Sequence, residues 1–471
     1  MKILIKFCLI QLLLHALVAH AAITVTNIAQ GCWANHSLFL KSGGSLWVMG
    51  LNADGSFTGT TNRPAEIIAS NVTVIAAGGD YSLFLKSDGS LWGMGDRGYG
   101  QLGFPASLTR MYPPEQIVSN DVIAVAAGYA HALFLKSDGG LWAMGDDEFG
   151  QLGNGVYYGP FGPSHLPEEI VSNGVIAIAA GQYHSLFLKS DGSLWAMGWN
   201  GFGQLGDGNA FYPQLGFNFQ YNTNLPEQIV AGGVTTIAAG GNHSLFIKSD
   251  GSLWAMGEND YGQLGNGTYQ STNQPQLIVS SNVIAIAAGG YHSLFLKSDG
   301  SLWAMGNDYY GQLGDNYIHF VDDYTNFPEQ IISSNVVAMA AGLHHSLFIK
   351  NDGSLWGMGD SQHGQLGDGF NEYFSDGSPA PEQTFSPEQI VPSPRPVLAQ
   401  MVSNTDLQLT ATCGFGGNFY LLAGTNLGQP LSQWIPVWTN SVTTRGANNF
   451  SATLTNAVNS GKQQFYILQS Q

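Results

Sequence analysis

The feature that most constrains this chain is a repeat of roughly fifty residues, built around a Ser-Leu-Trp or Gly-Leu-Trp tripeptide. Successive tryptophans are separated by 45, 50, 53, 59, 49 and 53 residues, which gives seven units. The repeated tryptophans are Trp47, Trp92, Trp142, Trp195, Trp254, Trp303 and Trp356. A period of this length indicates one supersecondary unit per repeat, with a core formed between neighbouring units.

Each unit contains the same succession of motifs, which is clearest in the third. There PPEQIV, VIAVAAG, HALFLKSDG, GLWAMG and DDEFGQLG follow one another between residues 113 and 153. Short apolar runs bounded by glycine predict strands that are buried on both faces. The Ser-Asp-Gly segment predicts a tight hairpin turn. With the PEQIV segment included, each unit has about four strands.

A four-stranded apolar sheet repeated seven times predicts an all-β fold, a seven-bladed β-propeller over residues 23–391. A linear β-solenoid is the alternative, but its repeats are usually more uniform, whereas here the length varies in one loop. The closure of the ring is left open by the sequence. Residues 23–28 form the inner strand of the first blade, or the two ends of the repeat region share a blade.

The repeated motifs resemble a known family. A-A-G-x-x-H-S-L-x-L-x-x-D-G-x-L, followed by G-x-N-x-x-G-Q-L-G, is similar to the repeat of the regulator of chromosome condensation family, which forms seven-bladed propellers. Two departures stand out. The family usually has Trp-Gly where this chain has Met-Gly, as at Met197, and the first unit lacks G-Q-L-G. The resemblance implies an interaction platform, and no residues here support nucleotide exchange on a small nuclear GTPase.

The N-terminus predicts a secretory signal over residues 1–22. Lys2 and Lys6 precede an apolar run, and Ala19-His20-Ala21 has the small-x-small pattern of a cleavage site. A retained membrane anchor is the alternative, but the run is shorter than the roughly 20 residues needed to span a bilayer. We therefore expect a protein that is secreted, at the cell surface or periplasmic, with no membrane insertion after cleavage. We also expect it to be a monomer.

A histidine, a serine and an aspartate lie within HSLFLKSDGSLWAMG, which occurs at residues 184–198 and 292–306. Neighbouring side chains of a strand point to opposite faces, so this motif is not a catalytic triad. The repeated ring position predicts a structural hydrogen bond to the backbone of the same or a neighbouring blade. Its members are His36, Tyr81, His131, His184, His243, His292 and His345.

The composition and the context of the motifs argue against several classes of ligand. The net charge of −18 argues against nucleic-acid binding, which requires a basic surface. No helix pattern follows the G-Q-L-G segments, so they predict structural turns and not phosphate loops. Acidic runs such as Asp146-Asp147-Glu148 lack the spacing of a known calcium loop, and we expect no metal or other cofactor, although calcium is left open. We expect no bridge between Cys32 and Cys413.

Function is expected in the loops that differ between units, which lie between G-Q-L-G and P-E-Q-I and should share one rim. Their tyrosines, phenylalanines, asparagines and aspartates resemble a binding surface. Tolerated surface insertions are the alternative. The candidate contacts are Tyr157, Tyr158, Phe161, Phe211, Tyr212, Phe217, Phe219, Tyr221, Tyr317, Phe320, Tyr324, Tyr373 and Phe374.

After a proline-rich linker at residues 392–396 the repeat stops. Residues 397–471 alternate short apolar strands with turns, which predicts a small antiparallel β-sandwich. FYLLAGTNLGQPLSQWIPVWTN, NNFSATLTNAV and QQFYIL resemble a C-terminal module of many secreted bacterial proteins.

The sequence therefore favours a secreted, non-enzymatic scaffold that binds an unidentified protein or polysaccharide through the rim loops. One alternative is a proteinaceous inhibitor of an extracellular hydrolase, since a secreted bacterial inhibitor of beta-lactamases has a similar propeller. The other is a lectin or carbohydrate-active enzyme, because acidic residues such as Asp322, Asp323, Glu372 and Asp376 lie beside the aromatic ones.

Overall fold

The repeats form separate four-stranded antiparallel sheets, one for each blade of a seven-bladed propeller. The computed structural model describes residues 24–29, 31–51, 60–105, 112–156, 165–209, 222–315, 324–368 and 383–391, and six strands between residues 398 and 470. The predicted signal at residues 1–22 lies outside these ranges. No helix among the described residues has the length and apolar character needed to cross a membrane.

The strands follow one another from the inside of each blade to its outer edge. Blade 1 contains β1 (Val25–Ile28), β2 (His36–Lys41), β3 (Ser45–Leu51) and β4 (Thr60–Ile68). Blade 2 contains β5 (Val72–Ala77), β6 (Tyr81–Lys86), β7 (Leu91–Gly95) and β8 (Tyr112–Val118). Blade 3 contains β9 (Val122–Ala127), β10 (His131–Lys136), β11 (Leu141–Gly145) and β12 (His165–Val171). Blade 4 contains β13 (Val175–Ala180), β14 (His184–Lys189), β15 (Leu194–Gly198) and β16 (Thr223–Val230).

The remaining three blades have the same construction. Blade 5 contains β17 (Val234–Ala239), β18 (His243–Lys248), β19 (Leu253–Gly257) and β20 (Thr272–Val279). Blade 6 contains β21 (Val283–Ala288), β22 (His292–Lys297), β23 (Leu302–Asn307) and β24 (Tyr324–Ile332). Blade 7 contains β25 (Val336–Ala341), β26 (His345–Lys350), β27 (Leu355–Asp360) and β28 (Gln383–Val391).

The P-E-Q-I-V segment is the outer strand of the preceding blade, and not part of the blade that follows it. PPEQIV at residues 113–118, for example, lies in β8 and pairs with β7. The prediction that this segment begins the third unit is therefore wrong by one strand. No blade is shared between the two ends of the repeat region, because β1 is the inner strand of blade 1 and β28 is the outer strand of blade 7.

The core lies between neighbouring blades. The middle strands are buried on both faces, as the pattern of HSLFLK in β14 shows. Leu245 and Leu253 of blade 5, for instance, share one cluster with Phe295 and Met305 of blade 6. Each sheet therefore leaves its apolar residues exposed to water unless another blade packs on it, which is why the chain needs many units.

Each blade has a top and a bottom end. The top face is the end at which the inner strand turns into the second strand through the A-A-G-x-x-H segment, and the G-Q-L-G turns share it. The bottom face carries the Ser-Asp-Gly hairpins, such as the one in which Gly192 N donates to Lys189 O at 2.9 Å with φ of 80°. The inner strands surround a central channel with a cavity of about 190 Å³, lined by Ile75, Val125, Ile178 and Ile237 among others.

The C-terminal region forms two three-stranded antiparallel sheets. Its strands are β29 (Leu398–Met401), β30 (Leu407–Cys413), β31 (Asn418–Gly424), β32 (Ile435–Ser441), β33 (Asn448–Leu454) and β34 (Phe465–Ser470). One sheet has the order β29-β30-β33 and the other β32-β31-β34. The strands agree with the sequence, and their packing as a sandwich stays a prediction.

Candidate functional site

The histidine of each A-A-G-x-x-H segment bonds to the serine of the next blade. His184 Nε2 lies 3.0 Å from Ser244 Oγ, and both side chains are fully buried. Asp191, the third member of the apparent triad, lies at an exposed hairpin tip on the bottom face. The same pair recurs as His36–Ser82, His131–Ser185, His243–Ser293, His292–Ser346 and His345–Ser37, at 2.8 to 3.0 Å. The motif is therefore structural and joins blades.

The second hydrogen bond of the serine shows which ring nitrogen of the histidine carries the proton. Ser244 Oγ donates to the main-chain oxygen of Gln204 at 2.7 Å, so it accepts a proton from His184 Nε2. Nδ1 of His184 has no hydrogen-bond partner among the described residues. Because the ring is buried, its pKa falls from 6.5 to about 3 and the imidazole is neutral. A neutral, hydrogen-bonded ring of this kind holds neighbouring blades in register.

The interface between blades 2 and 3 replaces both partners at once. Tyr81 stands in the histidine position, and Ala132 stands where the serine would be. The tyrosine hydroxyl reaches further and donates to the main-chain oxygen of His131. The prediction of a bond to neighbouring backbone is therefore right for Tyr81 and wrong for the six histidines, whose partner is a side-chain hydroxyl.

The glycine of A-A-G gives the histidine ring its space. A Cβ atom added at Gly181 would lie 2.2 Å from Cε1 of His184. In blades 2, 3, 5, 6 and 7 a Cβ atom at the equivalent glycine would lie 2.0 to 2.3 Å from the ring of its own blade, whereas at Gly31 of blade 1 it would lie 2.3 Å from the main-chain oxygen of Ala77. The A-A-G-x-x-H or A-A-G-x-x-Y order of blades 2 to 7 thus follows from packing at the top of the blade.

The repeated tryptophans form a second structural series. Trp195 stacks on Phe187 across the hairpin, with ring centroids 6.0 Å apart, and Lys189 Nζ lies 4.2 Å from the indole centroid. The indole N–H donates to Ser193 Oγ at 2.9 Å. Every blade has a lysine in this position, next to its bottom-face hairpin. These lysines are Lys41, Lys86, Lys136, Lys189, Lys248, Lys297 and Lys350. They stabilise the blades through cation–π contacts, and within the described ranges they place seven of nine Lys and Arg side chains near the bottom face.

The top face carries a continuous aromatic cluster. Tyr129 contacts Tyr183 at 5.8 Å, and Tyr291 contacts both Tyr261 at 5.3 Å and His344 at 5.8 Å between ring centroids. His344 continues the cluster to Tyr310 at 4.5 Å. These rings come from blades 3 to 7, and most of them are only partly buried. They form an aromatic surface around the mouth of the channel.

Trp33 joins the two sides of this cluster. Its ring contacts Tyr129 of blade 3 at 6.1 Å and Tyr291 of blade 6 at 5.9 Å. Trp33 can extend across the channel because the first unit has a longer segment here. Four residues separate the glycine from the histidine in GCWANH, whereas two residues separate the glycine from the histidine or tyrosine in the other units. Cys32 of the same insertion is a free, buried thiol that faces the channel, and burial raises its pKa to about 12.

Carboxylates surround the aromatic cluster. Burial raises the pKa of Asp146 to about 6 and those of Asp147 and Glu258 to about 7, with neighbouring acids adding to each shift. Burial also raises the pKa of Tyr291 to about 12, and the nearby charges of Glu258 and Tyr261 contribute. With the lysines at the other end of the blades, the top face is both aromatic and acidic. Among the described residues, no group of three or more histidine, cysteine or carboxylate side chains could hold a metal ion.

Of the aromatic residues predicted for binding, Tyr324 is the one that lies within the described ranges. It belongs to the top-face cluster, with centroids 6.1 Å from Tyr261 and 5.1 Å from Tyr269. The others, Tyr157, Tyr158, Phe161, Phe211, Tyr212, Phe217, Phe219, Tyr221, Tyr317, Phe320, Tyr373 and Phe374, lie outside the described residues. Their loops leave from G-Q-L-G turns and therefore start at the top face.

Sequence reasoning missed the rings nearest the channel. Tyr129, Tyr183, Tyr291 and His344 lie in the two positions between A-A-G and the repeated histidine, which vary between units. Tyr261 and Tyr310 precede G-Q-L-G, where every unit that has this motif carries an aromatic or histidine residue. Both signals were present in the repeat, but they lay inside the motifs assigned to the scaffold.

Comparison with known proteins agrees with the propeller. A family model described as "Regulator of chromosome condensation (RCC1) repeat" matches residues 88–135, 138–188, 191–247, 250–296 and 299–349. A second model with the same description matches residues 72–101, 122–151, 175–204, 234–263, 283–312 and 336–365. The X-linked retinitis pigmentosa GTPase regulator homolog of Caenorhabditis elegans is 43% identical over 81 residues, which are 17% of this chain and 5% of that protein. The chain thus spans a small fraction of that relative.

Solved structures show the same architecture. Human WBSCR16 is 25% identical with a TM-score of 0.61, and the match covers 75% of this chain and 95% of that one. Prp20p from Saccharomyces cerevisiae is 22% identical with a TM-score of 0.62, covering 75% of this chain and 87% of that one. At this identity the likeness to Prp20p concerns the fold.

Proposed function

Because the chain belongs to the regulator of chromosome condensation (RCC1) repeat family, we propose that it is a non-enzymatic scaffold that binds a macromolecular partner at its top face. The observation that carries this proposal is the aromatic cluster from Tyr129 to Tyr310, which extends over five blades and is joined across the channel by Trp33. Partly exposed tyrosine and tryptophan rings provide contact area at low entropic cost.

Two further points support a protein partner. The variable loops start at the same face, so we expect their aromatic residues to add to the binding surface. In addition, the structurally similar Prp20p binds Gsp1p and histones, and Kap60 binds it. The repeated His–Ser pairs are used for blade packing, which leaves them no part in chemistry.

We further propose that this binding takes place outside the cytoplasm. Residues 1–22 have the charged start, apolar run and small-residue site of a secretory signal. The resemblance of residues 397–471 to a module of secreted bacterial proteins points the same way. We therefore expect the partner among extracellular or cell-surface proteins.

The experiment is an affinity purification of the mature full-length chain from native secretions, followed by mass spectrometry. The test variant replaces Tyr212, Phe217 and Tyr221 with alanine. The matched control replaces three exposed bottom-face residues, Ile123→Thr, Ile176→Thr and Ile284→Thr. Threonine occupies the equivalent position in blades 1, 2 and 5, so the control variant should fold.

Loss of the captured protein in the test variant, with capture retained in the control, supports the proposal. Retention in the test variant and loss in the control would place binding at the bottom face and overturn it. Capture of a glycan in place of a protein would favour a lectin, and inhibition of a co-purified hydrolase would favour an inhibitor.

A further inference from the structure

We propose that the top face contains a subsite for an arginine side chain of the partner, formed by Asn242, Glu258 and Tyr261 of blade 5 and Tyr291 of blade 6. This inference rests on the proposed function and names the chemistry of one contact within it. The four residues come from the A-A-G-x-x-H and G-Q-L-G segments of neighbouring blades. They lie at the junction where the aromatic cluster meets the carboxylates.

The first argument is an unused acceptor. Asn242 is 7% exposed, and its Nδ2 donates to Glu258 Oε2 at 3.0 Å. Its Oδ1 has no hydrogen-bond partner among the described residues. A buried acceptor without a donor costs free energy, and a ligand rich in N–H groups would satisfy it. The guanidinium group has five N–H donors and no acceptor.

The second argument is an uncompensated carboxylate. Within the described part of the chain there is a single ion pair, Arg97–Glu115, so Glu258 has no cation beside it. It is 5% exposed, and burial raises its pKa to about 7, with the charge of Asp260 adding to the shift. A cation bound here would stabilise the ionised form of Glu258 and recover part of the desolvation cost.

The third argument is the arrangement of rings. Tyr261 and Tyr291 are partly exposed, meet edge to face with centroids 5.3 Å apart, and both lie near Glu258. Arginine stacks on aromatic faces while its N–H groups bond to carboxylates, and lysine does this less well. Blade 2 already contains such an arrangement, in which Arg97 lies 3.3 Å from the centroid of Tyr112 and pairs with Glu115 at 3.5 Å.

The fourth argument is the charge of the whole face. Nine Lys and Arg residues lie in the described ranges, and seven of them are the bottom-face lysines. The other two are Arg97, which is paired, and Arg63 on the outer strand β4. An arginine-bearing segment is therefore attracted to the top face at long range before it makes contact.

The probe is a fluorescein-labelled nona-arginine peptide, titrated with the mature full-length chain by fluorescence anisotropy at about 150 mM salt, with nona-lysine in parallel. The variants are Glu258→Gln and Asn242→Ala. Alanine occupies the equivalent position in blade 3, at Ala130, so Asn242→Ala is compatible with the fold. The matched control is Asp250→Asn, which removes one charge from the bottom-face hairpin of the same blade.

We expect nona-arginine to bind several-fold more tightly than nona-lysine. Glu258→Gln should raise its Kd about tenfold and Asn242→Ala about threefold, whereas Asp250→Asn should change it less than twofold. Equal weakening in Asp250→Asn and Glu258→Gln would indicate nonspecific attraction and overturn the inference. Unchanged binding in Asn242→Ala or Glu258→Gln, with the variant folded by circular dichroism, would overturn it as well.

The two proposals fail in distinguishable ways. If a secreted protein is captured through the top face while both subsite variants keep wild-type affinity for nona-arginine, the arginine subsite is wrong and the scaffold function stands. If no partner is captured but the peptide affinities change as expected, the scaffold function is wrong and the subsite stands.

Discussion

The bond between His184 and Ser244 allows a sharp test of how the blades are joined. Replacing Ser244 with alanine removes the acceptor of His184 Nε2–H at 3.0 Å and the donor to Gln204 O at 2.7 Å. Both groups stay buried without a partner, and each costs about 1–3 kcal/mol. We expect Ser244→Ala to lower the free energy of unfolding by about 3 kcal/mol.

The chain itself supplies the compensating change. At the interface of blades 2 and 3 the pair is Tyr81 and Ala132, so His184→Tyr combined with Ser244→Ala should recreate that arrangement between blades 4 and 5. His184→Tyr alone forces the larger ring against the Ser244 hydroxyl and should also destabilise the fold. The double variant should therefore be more stable than the sum of the two single changes predicts, by about 1.5 kcal/mol or more.

The assay is guanidinium unfolding of all four proteins, followed by circular dichroism and tryptophan fluorescence. Ser190→Ala, at an exposed bottom-face position, is the control and should change the unfolding free energy by less than about 0.5 kcal/mol. A double variant no more stable than the additive expectation would refute the reasoning, since the two positions would then act independently.

Three further outcomes follow from the same contacts. Burial lowers the pKa of His184 from 6.5 to about 3, so its stabilisation is complete above about pH 6.5 and is lost as the pH falls. Between pH 6 and pH 5 the double variant, which has one such histidine fewer, should lose about 1.2 kcal/mol less unfolding free energy than the wild type, and an equal loss in guanidinium titrations would contradict this. Gly181→Ala should cost about 2 kcal/mol or more, because its Cβ would lie 2.2 Å from the histidine ring, whereas Gly174→Asn, at φ of 80° with nothing near its Cβ, should cost less than about 1 kcal/mol in the same assay. Trp33→Ala removes two edge contacts with tyrosines across the channel and should lower the unfolding free energy by about 1–3 kcal/mol, and an unchanged unfolding midpoint would show that these contacts are dispensable.

The propeller could be predicted because its information is local and repeated seven times. Period, strand order within a hairpin and turn glycines are all properties of short segments. The sequence did not show that P-E-Q-I-V belongs to the preceding blade. An outer strand is assigned by the strand with which it pairs, and the repeat spacing is the same whether the segment ends one unit or begins the next. The closure of the ring was open for the same reason.

The partner of the histidine was missed because it lies in another blade, between 46 and 60 residues away in five of the six pairs. The sequence nevertheless contains a signal. The one unit with tyrosine in place of histidine is followed by the one unit with alanine in place of serine, at Tyr81 and Ala132. Paired exceptions of this kind indicate contact between successive repeats.

The functional face was only partly predictable. Variable loops were the natural place to look, and Tyr324 does belong to the aromatic cluster. The rings around the channel come from variable positions inside the repeated motifs, and their convergence depends on the circular arrangement of the blades. The contacts of Trp33 were not predicted either, because this residue lies in an insertion that occurs in a single unit.

The way the ring closes has a consequence for its motions. Successive blades are tethered by the backbone, which holds each pair together at high effective concentration even when their side chains separate. Blades 7 and 1 have no such tether and rely on contacts such as Val25 N to Gly353 O at 3.2 Å, Gly31 N to Ala341 O at 3.3 Å and the pair Ser37–His345. The lowest-energy opening of the propeller should therefore begin at this one joint, and the amides of Val25 and Gly31 should exchange with solvent before their equivalents elsewhere in the ring.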